Sequence, residues 1–403
     1  MISYEEALAH YDVEVGALPS ETVPIELALG RVLVANVASA VDLPPFSQSA
    51  MDGYALRSAD TKDATPEHPV RIDVVRSIPA GAQASDVLIE PGSAARILTG
   101  APVPRGADAV VRQERVQRDD DGIRVSAPVL PDEDLRRRAE ELTRGEIVAE
   151  RGRRLTAGAL AALANCGVAE VRVSRAPRVS CLVTGDELVE PGRPLESAQV
   201  YDSNRVLAEL WLRERGLTDV GVLEARDERD ETIARIREAF DRADLVVTTG
   251  GVSVGDRDHV IGASRAIGVR EVFWRVRQKP GKPLFFGMLD EKPLVGLPGN
   301  PGSVFAGLVA HARRVLDLLE GVADPGPSFL EGRLGADVRA SPRRVTWLRA
   351  RIGGSGDGYA ILEPLDRQGS HMISNLVRCD ALARIPEGEG VLASGSAVEF
   401  VPV

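Results

Sequence analysis

The sequence predicts a multidomain protein of α/β and β class, with a doubly wound, mainly parallel sheet between two all-β regions. Three observations carry that expectation. From Val179 to Glu320, β-branched apolar runs alternate with helical patterns, the order expected of a parallel sheet with helices on both faces. Residues 70–130 and 327–403 instead read as short strands separated by turns. The length, 403 residues with 44% hydrophobic content, is enough for two to four domains with sizeable cores.

In chain order, a short helix at Tyr4–Leu8 precedes a Pro24–Val41 segment that mixes helix and strand features. Leu43–Leu56 (LPPFSQSAMDGYAL) stands out: two prolines stiffen the approach, and Asp52-Gly53 makes a turn that holds out one carboxylate. By spacing alone it is equally well a capped surface loop. Val70–Ile78, Ala94–Thr99 and Ala109–Val116 are strand-like, and Asp119–Gly122 reads as a hairpin turn. Thr99–Pro104 leaves a strand as a proline-fixed loop with one hydroxyl. Leu135–Glu141 concentrates three arginines, either a solvated face or a phosphate clamp. The pattern changes near residues 45, 142, 176 and 326, giving stretches 1–45, 46–142, 143–176, 177–326 and 327–403.

Composition excludes some classes of function. A net charge of −11 argues against a general nucleic-acid or membrane-surface binder, so any anion site is local. Cys166, Cys181 and Cys379 match no zinc or disulfide spacing and fit a reducing compartment. The first residues carry acids where a signal peptide needs basic and then apolar residues. No apolar run approaches the roughly 18–20 residues of a membrane span. The expectation is a cytoplasmic protein.

Within the α/β region, strands Val179–Thr184, Val220–Glu224, Leu245–Thr249, Glu271–Val276, Leu284–Met288 and Leu294–Leu297 surround helices Ser203–Arg215, Glu231–Ala243, Arg257–Ile267 and Ser303–Glu320. Ligands of such sheets bind beyond the C-terminal strand ends. Those ends lead into Thr184-Gly185-Asp186-Glu187, Arg226-Asp227, GGVSVGDRD (Gly250–Asp258), KPGKP (Lys279–Pro283) and Pro298-Gly299-Asn300-Pro301. Each loop alone could be ordinary turn chemistry. Together, acidic loops, Lys279, Lys282 and a glycine-rich strand-to-helix turn predict one cleft for an anion and a divalent cation. The last region, with strands Val345–Ile352, Tyr359–Leu365, Ala381–Ile385 and Ala397–Val401 and a GGSGDG turn, reads as a small barrel or sandwich. His371, without a second histidine nearby, reads as a hydrogen-bonding loop residue before a metal ligand.

Seven motifs in order, SAMDGYA (Ser49–Ala55), TGAPVP (Thr99–Pro104), TGDEL (Thr184–Leu188), YDSN (Tyr201–Asn204), GGVSVGDRD, KPGKP and GLPGNP (Gly296–Pro301), resemble the MoeA family of molybdopterin molybdenumtransferases, which includes the C-terminal domain of gephyrin. The resemblance runs from about Leu43 to Asn375. It implies a discontinuous linker domain (1–45 and 143–176), a β-rich domain, a MoaB/Mog-like molybdopterin-binding α/β domain and a C-terminal β-barrel. It also implies a homodimer whose cleft joins the α/β domain of one subunit to the β-rich domain of the other, and transient contact with other molybdenum cofactor biosynthesis proteins. The implied reaction inserts molybdate into adenylylated molybdopterin with release of AMP, assisted by Mg2+.

By the same resemblance, Glu187, Asp227 and Asp258 would hold the cation, with Asp258 facing it more than Asp256. Gly250, Gly251 and Ser253 would offer donors to phosphate, and Lys279 and Lys282 would attract molybdate. Ser303, Arg349 and Ser374 would complete the oxyanion pocket. Thr99, Thr184, Asp202, Ser203, Asn204, Pro298, Asn300 and Pro301 would bind the pterin nucleotide, and Asp52 would serve the transfer step. The chain departs from the family pattern at Ser47-Gln48, at Glu141, and at Gly302, where an apolar residue is usual and the helix start is expected to be looser. A pterin-binding scaffold and a nucleotide-dependent transferase of another class are the rival expectations.

Overall fold

A computed structural model describes residues 1–83, 86–253, 258–356 and 358–403. Gly255 and Asp256 lie outside the described residues, as does position 357 of the GGSGDG stretch. The chain divides into two compact units, residues 36–150 with 157–171, and residues 1–35, 151–156 and 172–403. The segments expected to form a linker domain are shared out between them. Val32 and Leu33 bridge to Arg154 and Val173 in the larger unit, whereas Val37–Ala38 pairs with Ile147–Ala149 in the smaller one.

The smaller unit is built on a six-stranded mixed sheet, ordered Ala109–Arg112, Gly53–Leu56, Ser93–Ile97, Val70–Ile78, Gly122–Val125, Val116–Arg118. The strand expected at Ala109–Val116 stops at Arg112, and a 3-10 turn over Gln113–Arg115 re-aims the chain before the hairpin strand begins. Apolar clusters cover both faces, one around Tyr54, Ile72 and Val111, the other around Ile78, Ile97 and Val110. Position 53, at the start of an interior strand, is glycine because a Cβ there would sit 2.1 Å from the Val111 carbonyl oxygen.

The larger unit contains the expected α/β sheet. Its elements are β1 (Val179–Thr184), α1 (Ser203–Glu214), β2 (Val220–Ala225), α2 (Arg229–Arg242), β3 (Leu245–Thr249), α3 (Val260–Ala266), β4 (Arg270–Trp274), β5 (Phe285–Leu289) and β6 (Lys292–Leu297). The strand order is β2-β1-β3-β6-β5-β4, with β2, β1, β3 and β6 parallel and β5 antiparallel to both neighbours. Successive residues face different cores. Cys181 and Val247 join α1 and the helix after β6, whereas Leu182 and Val246 join α2 and α3. Strands buried on both faces need no polar alternation, which is why they read as continuous apolar runs.

The final helix begins two residues before its expected start, because Pro301 suits the first helical position. It runs as α-helix to Gly307, as a π turn over Leu308–Ala312, and as α-helix again to Leu319. The first helix extends to Glu14 rather than Leu8, with a capping box between Ser3 and Glu6 and Tyr4, Ala7 and Tyr11 buried along one face. Its last turn buries only Tyr11 and leaves the apolar Val13 exposed, which breaks the helical pattern and hid the continuation.

The C-terminal region closes into a five-stranded barrel. Val345–Gly356 pairs with Tyr359–Pro364 on one side and Ala381–Ile385 on the other, and Leu330–Leu334 and Ala397–Pro402 complete the ring. The strand continues through Gly353-Gly354-Ser355-Gly356 with a register shift, where the sequence reads as a turn. Among the described residues no helix is long and apolar enough to cross a membrane.

Candidate functional site

The β2-β1-β3 order puts a topological switch point between β1 and β3: the chain leaves β1 toward one edge and returns on its other side. Such crevices accept ligands at the C-terminal strand ends. The ladder levels those ends. Thr184 pairs with Ala225, Val183 with Thr249, and Thr249 with Leu297, so TGDEL, Asp227, the Gly250 turn and the GLPGNP turn all leave from one edge. KPGKP joins the end of β4 to the start of β5, where Trp274 pairs with Phe285 and Phe285 with Gly296. The sheet edge expected from sequence is therefore the one the topology builds.

At the switch point the backbone is packed too closely for side chains. Gly250, with φ +96°, could not carry a Cβ without placing it 2.7 Å from Thr184 Oγ1 and 3.0 Å from the Thr184 carbonyl oxygen. A Cβ on Gly251, at φ +66°, would sit 2.5 Å from Val260 Cγ2. Beside this turn lies a cavity of about 650 Å³ bordered by Thr184, Glu187, Tyr201–Asn204, Ser253, Pro283, Pro298–Pro301, His371 and Ile373. Thr184 Oγ1 and Asn204 Oδ1 are buried without a hydrogen-bond partner among the described residues. A buried polar atom left unpaired costs roughly 1–3 kcal/mol, so these two await a ligand or water.

The other cavity residues are anchored by the fold. Asp202 caps α1, its carboxylate accepting from Arg205 N at 2.9 Å, and burial pushes its carboxyl above the ordinary aspartate range. Asn204 Nδ2 donates to the Gly299 carbonyl at 2.7 Å, tying YDSN to GLPGNP. Ser203 lines the cavity from the first position of α1.

A second cavity of about 450 Å³ adjoins the first, sharing Pro283, Pro298 and Asn300 with it. Lys279, Lys282 and Arg344 line it, with Ser303 and the barrel loop Gln368–Ser370. Both lysines are exposed and neither makes a salt bridge with another described residue. Three cations on one small concavity suit a compact oxyanion. Arg344 was not foreseen. It precedes a strand in an arginine pair that reads as an ordinary charged turn, and only the pairing of Gln278-Lys279 with Val345-Thr346 brings it beside the lysines.

Arg349 supports the barrel loop beside the smaller cavity. Only 4% exposed, it spends its guanidinium on the carbonyls of Met372, Arg367 (2.9 Å) and Gly369 (3.1 Å), so it fixes the barrel loop from behind. Ser374 is exposed at the end of that loop. Gly302 does not loosen its helix. Gly302 N donates to the Ser370 carbonyl at 2.7 Å, and a Cβ would sit 2.8 Å from that oxygen, so glycine lets the barrel loop dock on the helix start. His371 borders the larger cavity, a placement its lone position in the sequence did not signal.

The three expected cation ligands come from separate loops. Glu187 is exposed and borders the larger cavity, Asp227 is half-buried with its backbone N–H 3.1 Å from Asp186 Oδ1, and Asp258 is half-buried before α3. Among the described residues no three His, Cys, Asp or Glu side chains form a ready-made metal cage. Mg2+ is commonly held by one or two carboxylates together with substrate phosphates, and this donor set fits that mode.

In the smaller unit Asp52 and Thr99 meet, joining two loops that lie 47 residues apart in the chain. Asp52 Oδ1 accepts from both the N–H and the hydroxyl of Thr99 at 2.8 Å, and these bonds hold its carboxyl below the ordinary aspartate range. The carboxylate is thus ionised and fixed in direction. The arginine cluster divides: Arg137 pairs with Asp132 and Arg138 with Asp42, while Arg136 belongs to a short strand paired with Gln48-Ser49.

Comparison with known proteins gives a consistent picture. Residues 2–167 match the model of the MoeA N-terminal region (domains I and II), residues 180–317 a probable molybdopterin binding domain, and residues 331–403 the MoeA C-terminal region (domain IV). A protein named molybdopterin molybdenumtransferase from Haemophilus influenzae is 33% identical over 387 residues, covering 95% of this chain and 94% of the relative. One of the same name from Staphylococcus aureus is 30% identical over 401 residues, covering 99% and 95%. The crystal structure of the Pyrococcus horikoshii MoeA molybdopterin biosynthesis protein superposes with a TM-score of 0.84 at 27% identity, covering 100% of both chains.

Proposed function

This chain belongs to the MoeA family, and from that premise we propose that it completes molybdenum cofactor biosynthesis, inserting molybdate into adenylylated molybdopterin and releasing AMP. The observation that carries the reading is the pair of adjoining cavities on one sheet edge, one lined by backbone turns and unpaired polar atoms, the other by three cations. That arrangement suits two anions that must be brought together against their mutual repulsion. The pterin nucleotide lies in the larger cavity, its phosphates toward the Gly250 turn and Ser253. Molybdate lies by Lys279 and Lys282.

Glu187, Asp227 or Asp258 would hold Mg2+, which would supply charge neutralisation at the phosphoanhydride. The residues of the chain do the rest. Thr184 and Asn204 orient the pterin nucleotide, the prolines around the two lysines limit their motion, and Ser303 offers a hydroxyl at the oxyanion. Asp52, pinned by Thr99, acts on the cleft of a second subunit, which makes the protein a homodimer with a shared site. The enzyme works in the cytoplasm, in transient contact with other proteins of cofactor biosynthesis.

Binding titrations with ATP, GTP and adenylylated molybdopterin test the assignment. The pterin nucleotide is expected to bind tightly and to be turned over on addition of molybdate and Mg2+. Equal affinity for all three would point to a nucleotide-dependent transferase of another class, and binding without turnover to a scaffold.

A further inference from the structure

The turn carrying Lys279 and Lys282 is held from beneath by a hydrogen-bond chain through the core. Gln278 is fully buried; its Nε2 donates to the Gly281 carbonyl at 3.0 Å, and its Oε1 accepts from Trp347 Nε1 at 2.9 Å. His311, also fully buried, places Nε2 2.8 Å from the same Oε1 and Nδ1 3.0 Å from the Tyr11 hydroxyl. An indole N–H only donates and a carbonyl only accepts, so the Gln278 amide has one orientation. His311 Nε2 must then carry the proton, and Nδ1 accepts from Tyr11. The chain runs in one direction, Tyr11 to His311 to Gln278 to Gly281.

Three further observations tie this chain to the lysine turn. Gly281 has φ +89°, and a Cβ on it would lie 3.1 Å from Gln278 Nε2, so the amide is packed directly under the turn. His311 belongs to the π turn at Leu308–Ala312, a distortion often found at functional sites. Burial also pushes the imidazole down to about 3, which keeps it neutral and preserves its tautomer.

We infer that Tyr11, His311 and Gln278 are positioning residues for the oxyanion: through Gly281 they set where Lys279 and Lys282 stand in the smaller cavity. The inference deepens the proposed function and rests on it. The first helix, far from the site in sequence, is thereby part of the oxyanion machinery.

Calorimetric titration of the whole protein with molybdate, well below the unfolding temperature, tests this. His311→Leu and Gln278→Met are expected to weaken molybdate binding about tenfold, roughly the worth of one hydrogen bond to a charged group weakened at the displaced lysines. Affinity for adenylylated molybdopterin should stay within about twofold, because the larger cavity does not use the chain. His311→Gln, which restores a donor near the Nε2 position, should recover most of the loss, and the mild Tyr11→Phe should weaken binding less than His311→Leu. Unchanged molybdate affinity in folded His311→Leu and Tyr11→Phe, with only the melting temperature lowered, would reduce the chain to a structural role and overturn the inference alone. A wild-type protein that binds the pterin nucleotide but no molybdate would overturn the functional reading as well.

Discussion

Replacing Gly250 with alanine tests the packing at the switch point, and its size can be worked out from the backbone. Two terms add. Gly250 has φ +96°, where an L side chain costs about 1–2 kcal/mol. Its Cβ would also lie 2.7 Å from Thr184 Oγ1 and 3.0 Å from the Thr184 carbonyl oxygen. The hydroxyl can rotate away, but the carbonyl belongs to β1 at its junction with β2 and β3, and overpacking of this kind costs about 1–3 kcal/mol. Gly250→Ala should therefore destabilise by about 2–5 kcal/mol. Gly192 is the control, because it has the same φ of +96° and nothing within 4 Å of a Cβ. Gly192→Ala should lose only the conformational term, about 1–2 kcal/mol. Urea denaturation gives both values, and pterin-nucleotide titration should show a loss of affinity in Gly250→Ala only. If the two variants agree within about 0.5 kcal/mol, within the additivity error of independent sites, β1 and β3 do not pinch the turn as described.

Other consequences follow from particular residues. Asp52→Asn, which keeps a carbonyl acceptor for Thr99 but removes the charge, should abolish transfer while the circular dichroism spectrum and melting temperature stay near wild type; retained turnover would remove Asp52 from the reaction. His311 is neutral when folded, with its value pushed down to about 3, so the unfolded chain binds one more proton than the folded one between that value and about 6.5. Stability should fall by up to about 1.4 kcal/mol per pH unit as pH drops through that window, and His311→Gln should flatten this component in a urea series. Asp244 is buried, yet hydrogen bonds from Arg175 and Arg178 outweigh that burial and hold its carboxyl well below the usual range. Asp244→Asn should cost about 1–3 kcal/mol at neutral pH, discounted because both arginines reach water, and the difference from wild type should shrink as acid protonates the carboxylate.

The fold was legible where periodicity was strong. The runs at Val179–Thr184 and Leu245–Thr249 are mostly apolar and carry no charge because both faces of the sheet are covered, and they were identifiable with their turns. The GGSG stretch misled because glycine marks turns and strand irregularities alike, and here the strand carries a register shift. In the site, the loops leaving the strand ends were readable because chain order and parallel topology together decide which ends share an edge. Arg344, His371 and the Tyr11–His311–Gln278 chain were not readable. Each depends on a contact between the barrel or the first helix and the α/β sheet, and single-chain spacing carries no record of such contacts. Arg349 shows the converse: a residue expected at the oxyanion pocket spends its guanidinium on the neighbouring barrel loop.

The central claim is that the two adjoining cavities carry one reaction. Its most direct test is to incubate the purified protein with adenylylated molybdopterin, molybdate and Mg2+ and to follow the products by mass spectrometry. AMP and molybdenum-loaded pterin are expected to appear together in equal amounts, and omitting molybdate should stop the formation of the loaded pterin. Pterin nucleotide that persists intact with all components present would contradict it.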